Sequence, residues 1–401
     1  MRIRVQLYSL LLCGLLVSCG QNDITETFNP APPKPTDFNW LKPDPALRIY
    51  RDLYRAYPDS NLCFSPYSLY AALGLIANAT EGNSRQEILA TLEIPSEGLE
   101  FLNEGYETYT GTVLCQDPST TIESANIVWY QKGFTVKPDF IGRIGNYYQA
   151  KAVPIDFGAP GALDIINNWG SEKTHGKIPR MIDVIPPGTI AGLANATYFN
   201  GRWTYIFDPK ETKPTQFTRL DRSGVSCAVM KNTQDYNFYE SNLCYGIELP
   251  YGNEAWAMYA FLPQVTSSLD KLTDYLVENW PVLLDDFYPA KNLLIWFPQF
   301  EIESKMDLND VLFAAGIRKI FGMKADFTGM LDNFIRMGKV IQKTYIKVNE
   351  DGTEAAAITS GWPMTGAPKG LFFTHPFVYV IAEKKSGSIL FIGQVTDPTI
   401  K

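Results

Sequence analysis

The chain has 401 residues, 45% of them hydrophobic and 13% aromatic, enough apolar material for one large core and too much for general disorder. A net charge of −8 and the absence of any basic run argue against nucleic acid or anionic membrane as a partner. Only two histidines occur, His175 and His375, without cysteines at metal-ligand spacing, so neither a zinc centre nor a histidine-based hydrolase is expected.

At the N-terminus Arg2 and Arg4 precede an apolar run from Leu7 to Val17 that is too short to span a bilayer. It ends Leu16-Val17-Ser18-Cys19-Gly20, which resembles a bacterial lipobox. That resemblance implies a signal peptide over 1–18, removed to leave an acylated Cys19. The prolines at 30, 32, 33, 35 and 43 make 19–43 an extended, semi-stiff tether. The expected location is outside the inner membrane, lipid-anchored to the cell envelope at the outer membrane or cell surface. A single compact domain is expected over 44–401. Cys63, Cys115, Cys227 and Cys244 lack framework spacing and read as buried free thiols, with a Cys227–Cys244 bridge left open.

Asn61 to Ala79 carries Ser65-Pro66 ahead of an apolar run, the signature of a capped helix start. Glu81 to Leu92 follows as an amphipathic helix in which Ser84 and Glu87 form a capping-box pattern. Ile122 to Gln131 reads as a strand, Pro138 to Tyr148 and Ile165 to Lys173 as helices, and Ile190 to Phe199 as a buried strand. Beyond Thr212 strands dominate: Gly246 to Leu249, Ala255 to Phe261, Leu293 to Phe297, Tyr345 to Val348, Phe377 to Ala382 and Ile389 to Val395. Helices intervene at Leu269 to Asn279 and Leu308 to Ala315. An α+β fold with a large mixed sheet suits this order.

Between Val348 and Pro376 no convincing element appears, and so long a gap in a compact domain points to function. Its first part reads Glu350-Asp351-Gly352-Thr353-Glu354-Ala355-Ala356-Ala357-Ile358-Thr359-Ser360. Gly352 permits an unusual backbone at a bend. Thr353, Ala355, Ala357 and Thr359 would share one face of a strand, and all are small enough to enter a crowded sheet. Taken alone, Glu-Ala-Ala-Ala also suits a helical tract.

Val348 to Ala357 (VNEDGTEAAA) resembles the hinge of the serpin family, and similar blocks occur in family order across 45–401. They are Asn61 to Ser68 with Ala72-Leu73, Asn195 to Trp203 with Phe207, Leu249-Pro250-Tyr251, and Pro298 with Phe300. Ala325 to Gly329, Pro376-Phe377, and Ile389 to Gly393 with Pro398 complete the series. The resemblance implies the serpin fold: a large central mixed sheet with further sheets, a helical N-terminal half and an exposed reactive-centre loop over 350–374. It also implies a monomeric suicide inhibitor, not an enzyme, that forms a covalent complex with serine, or also cysteine, proteases and needs no cofactor or metal. The hinge would be Glu350, Gly352, Thr353, Glu354, Ala355, Ala356 and Ala357. Counted from Glu350 at the family interval, the cleaved bond follows Gly366; counted back from Pro376, it follows Thr365. The scissile region is bracketed as Met364, Thr365, Gly366 and Ala367, with Thr365 and Met364 preferred. None is basic, which favours elastase-, subtilisin- or chymotrypsin-like targets.

Sheet opening would involve Ser65, Ser68, Asn195, Trp203, Gln299 and Gln342. Gln342 matches a family histidine and Gln299 a family lysine that faces the hinge glutamate, so a Glu350–Lys ion pair is missing. Easier opening of the intact form is expected. The rival reading is a non-inhibitory, serpin-fold surface binding protein. A hydrolase built on Ser65 and His375 is disfavoured by the lack of a G-x-S-x-G elbow.

Overall fold

In chain order the first element is a helix absent from the expectations above. A computed structural model describes residues 43–95, 98–280, 282–332, 335–352 and 370–400. Helix α1 (Pro43–Ala56) buries Leu47, Tyr50 and Leu53 at helical spacing, with Asp44 in its first turn and Arg55 in its last. Strand β1 (Leu62–Phe64) leads into α2 (Pro66–Ala79), where Ser65 accepts a bond from the Ser68 amide and proline opens the first turn. Every residue of α2 except Ala72 is buried, so this helix is a central pillar.

Helix α3 (Gly82–Thr91) corrects one expectation. Its cap residue is Glu81, with no side-chain cap bond. Ser84 Oγ instead accepts from the Asp326 amide, and Glu87 Oε2 from the amides of Arg318 and Lys319. Helix α4 (Leu99–Thr112), also unforeseen, is followed by β2 (Thr120–Gln131), α5 (Pro138–Tyr148), β3 (Lys151–Ile155), α6 (Ala162–Lys173) and β4 (Ala191–Gly201). Strands β5 (Lys213–Thr218), β6 (Gly224–Glu240), β7 (Cys244–Tyr251) and β8 (Trp256–Pro263) precede α7 (Leu269–Asn279). Then come β9 (Tyr288–Pro298), β10 (Phe300–Asp307), α8 (Asn309–Ala314), β11 (Ile341–Val348), β12 (Gly370–Phe372), β13 (Phe377–Glu383) and β14 (Ile389–Val395). Strand β12 lies inside the stretch read from the sequence as lacking any element.

The described strands form three sheets. Nine join in the order β1-β14-β13-β8-β7-β6-β9-β12, with β5 added to β6. Every pairing is antiparallel except β9 with β12. A second sheet runs β3-β2-β4, parallel and then antiparallel, and β10 pairs with β11 in a third. Strands β13 and β14 are buried at every position, and α2 packs between β14 and β4.

The four described cysteines are free, and Cys115 is exposed rather than buried as expected. Burial pushes the thiols of Cys63, Cys227 and Cys244 up to about 11, which keeps them protonated and chemically quiet.

Candidate functional site: the β4–β11 gap and its clamps

Among the described residues, strand β4 is paired only with β2 and strand β11 only with β10, yet the two strands lie side by side. Two strand edges therefore face one another without a ladder between them. An edge in this condition is a template for an added strand.

One end of the gap is closed by the chain leaving β11. The Trp203 amide donates to Asp351 O at 2.9 Å and the Phe207 amide to Glu350 O at 3.0 Å. The Trp203 ring stacks on Tyr251, centroids 4.4 Å apart, and its indole N–H donates to Asn349 O at 2.9 Å. Asn349 and Gly352 exchange amide-to-carbonyl bonds of 3.0 and 3.3 Å, closing a tight turn. Gly352 sits there at φ +135°, a conformation that side-chain-bearing residues avoid. A Cβ on it would lie 2.8 Å from both Arg202 Cα and the Trp203 amide nitrogen, and closer still to Gly201 O.

Glu350 lacks a lysine partner here, but its carboxylate is not left bare. Gln299 Nε2 donates to Oε2 at 2.7 Å and Thr212 Oγ1 to Oε1 at 2.6 Å. The ion pair of the family pattern is replaced by two neutral donors on the carboxylate, which gives up the attraction between opposite charges. Gln299→Lys is expected to slow spontaneous conversion of the intact protein several-fold, from a gain of about 0.5–1 kcal/mol at this half-buried site. Native gels after incubation at elevated temperature would follow it, and an unchanged or faster conversion would count against the clamp.

Further along the gap both edges are tied to the first turn of α2. Gln342 Oε1 accepts from the Ser65 amide and its Nε2 donates to Ser65 O, both at 2.9 Å and both buried. Ser304 Oγ accepts from the Cys63 amide at 2.8 Å, and Thr344 Oγ1 donates to Cys63 O. These bonds anchor the β10–β11 pair to β1 and the start of α2. On the other side Ser68 Oγ and Thr197 Oγ1 share a 2.8 Å bond, and Thr197 Oγ1 donates to Asn195 Oδ1 at 3.0 Å. Asn195 Nδ2 continues to Asn126 Oδ1 and Ser124 Oγ, and Asn126 Nδ2 to Tyr106 Oη, whose ring stacks on Tyr67 and Tyr148.

The sheet-opening residues Ser65, Ser68, Asn195 and Gln342 thus belong to a network with two halves. Gln342 holds β11 to Ser65, Ser68 holds β4 through Thr197, and the halves meet where the Ser68 amide donates to Ser65 Oγ. Thr197, Ser304, Thr344 and Asn126 were not foreseen. A signal existed for Asn126: Ser124 and Asn126 place two neighbouring polar groups on the strand face that also carries Ile122 and Val128. Gln342→Ala would leave the buried Ser65 amide unpaired, while its carbonyl keeps the helical bond from the Leu69 amide at 3.0 Å, at about 2 kcal/mol. A lower melting temperature of the intact form is the expected readout, and no change would contradict this anchoring role.

Thr353 to Ala357, the bracket Met364 to Ala367 and Cys19 all lie outside the described residues. Ser65 Oγ is buried and occupied as a helix cap, so it offers no exposed nucleophile. Among the described residues no cluster of His, Cys, Asp or Glu could hold a metal ion, and no helix is long and apolar enough to cross a membrane.

Comparison with known proteins places these features in context. The family model described as serpin (serine protease inhibitor) matches residues 43–398. An uncharacterized serpin-like protein of Methanosarcina acetivorans is 29% identical over 85% of this chain and 82% of its own length. The leukocyte elastase inhibitor of Sus scrofa is 28% identical over 88% of this chain and 97% of its own. Among solved structures, the thermophilic serpin tengpin in its native state superposes with a TM-score of 0.81 at 25% identity, covering 92% of this chain and 97% of that one.

Proposed function

The chain belongs to the serpin family, whose members are in general protease inhibitors rather than enzymes, and from that premise we propose that it is a suicide-substrate inhibitor of serine proteases. The observation that carries this reading is the pair of facing, unpaired edges on β4 and β11, closed by a glycine turn at Asn349 to Gly352 that leads straight into small alternating residues. The protease's serine oxygen attacks the carbonyl carbon of the scissile residue. An ester to the protease forms, the peptide bond breaks, and the new amino terminus departs on the Gly370 side. The freed hinge then enters the gap and bonds to both edges before water hydrolyses the ester. The stitches from Gln342 and Thr197 to consecutive parts of one helical turn tie both edges to α2, so widening the gap strains that turn.

The uncharged bracket Met364 to Ala367 favours elastase-, subtilisin- or chymotrypsin-like targets, in line with the name of the Sus scrofa relative. We also propose that Cys19 is acylated and that 19–43 holds the domain off the outer membrane or cell surface, where foreign or secreted proteases are met. Labelled palmitate incorporated by the wild type and lost in Cys19→Ala would support the anchor.

The inhibitory reading is tested by mixing the protein with elastase- and subtilisin-like proteases and running denaturing gels. A band at the summed mass that survives denaturation is expected. Loop cleavage without such a band would contradict inhibition and favour a surface binding protein on the same fold.

A further inference from the structure

Lys231, Trp296 and Phe372 stand directly opposite one another on β6, β9 and β12, so they form a row on one face of the nine-stranded sheet. The Lys231 ammonium lies over the Trp296 ring, 4.1 Å from its centroid, and Phe372 meets that ring edge-on with centroids 4.9 Å apart. Phe372 is 41% exposed, although Leu371 and Phe373 on either side are buried. No carboxylate is paired with Lys231 among the described residues, in a chain whose net charge is −8. The Trp296 indole N–H also has no acceptor there, an omission that costs about 1–3 kcal/mol in a buried setting. An exposed Phe372 beside a half-buried Trp296 and a cation with no carboxylate partner among the described residues is the composition of an interface hot spot.

Its position says what would cover it. Gly370 opens β12, and from it the bracket Met364 to Ala367 is a few peptide units away, roughly 10–20 Å of chain at full extension. A folded protease is roughly 40 Å across, so one seated on that bracket brings the rim of its cleft over this end of the sheet. We propose that the Lys231–Trp296–Phe372 row is a second docking surface for the target protease. It takes an apolar rim residue against Phe372 and a carboxylate beside Lys231. The proposal rests on the inhibitory reading above.

The test uses the full-length protein, an elastase-like serine protease, and the variants Phe372→Ala, Lys231→Glu and the double variant. Each single change is expected to slow covalent-complex formation about tenfold, as hot-spot residues do, with the number of inhibitor molecules consumed per protease unchanged. The Lys231→Glu loss should shrink in molar salt, where exposed charges are screened. Should Phe372→Ala fail to fold, Phe372→Leu and Lys231→Glu carry the comparison. Wild-type rates in the folded variants would overturn the docking surface while leaving inhibition intact. So would a rise in inhibitor consumed at an unchanged rate, or a change in the sedimentation of the protein alone, which would mark a self-association face. If the wild type itself forms no covalent complex, the inhibitory reading fails first.

Discussion

Valine in place of Gly352 is expected to destabilise the intact form by at least about 3 kcal/mol. Two separate effects combine. A β-branched residue held at φ +135° is strained by about 1–3 kcal/mol. Its Cβ would also press on Gly201 O, Arg202 Cα and the Trp203 nitrogen, all main-chain atoms that cannot swing aside. Relief requires the turn to leave the end of β4, breaking the bonds from Trp203 and Phe207 to Asp351 and Glu350. Because that turn closes the gap in the intact state, conversion to the inserted form should accelerate by up to about a hundredfold. Loss of inhibitory activity on standing and a lowered melting temperature are the measurements. A variant that keeps both at the wild-type level would show that the glycine turn does not hold the gap shut.

Arginine at Ala355 is expected to turn the inhibitor into a substrate. If the hinge becomes a strand, Thr353, Ala355, Ala357 and Thr359 share one face, while Glu354, Ala356, Ile358 and Ser360 share the other. The first set is uncharged and small, so it is the face that would turn toward α2 and the core. A guanidinium there would be buried without a partner, at several kcal/mol. Insertion would then lose to hydrolysis, and the inhibitor consumed per protease should rise more than tenfold while loop cleavage continues. Ala356→Arg is the matched control, placing the same charge on the face that carries Glu354. Equal effects from the two variants would contradict an alternating, one-sided insertion.

Local sequence signals were readable where structure is decided locally. Ser65-Pro66 marks the start of α2, and the glycine of the hinge turn sits at the positive φ that its neighbours demand. Helix α4 was obscured because its buried Leu102, Asn103, Tyr106 and Tyr109 are set among glycine, threonine and asparagine, residues of low helix propensity. Strand β6 was hidden by its polar centre, Lys231 to Asp235, which stays in the ladder only because β9 pairs with it across an irregular step. Ser84 and Glu87 mimic a capping box but serve main-chain groups at Asp326, Arg318 and Lys319. Nothing local distinguishes these uses, since the partners arrive through tertiary packing.

Within the candidate site the same division holds. Loss of a lysine at Gln299 was legible as a missing charge, but not the amide that takes over one oxygen of Glu350 or the Thr212 hydroxyl that takes the other. Gln342 was legible as a polar replacement. That it spends both ends of its amide on the main chain of Ser65, rather than on Ser68 or Asn195, depends on how β11 is seated against β1. Such bonds follow from register, and register here links residues more than two hundred positions apart.

Inhibition by insertion requires the cut loop to become a strand between β4 and β11. Thermal unfolding of the intact protein should therefore be compared with that of protein cleaved once within Met364 to Ala367. Insertion would supply both open edges with a full ladder, and the melting temperature should rise by tens of degrees, since each added strand bond contributes about 0.5–1.5 kcal/mol. An unchanged or lowered melting temperature after clean cleavage would contradict the insertion mechanism.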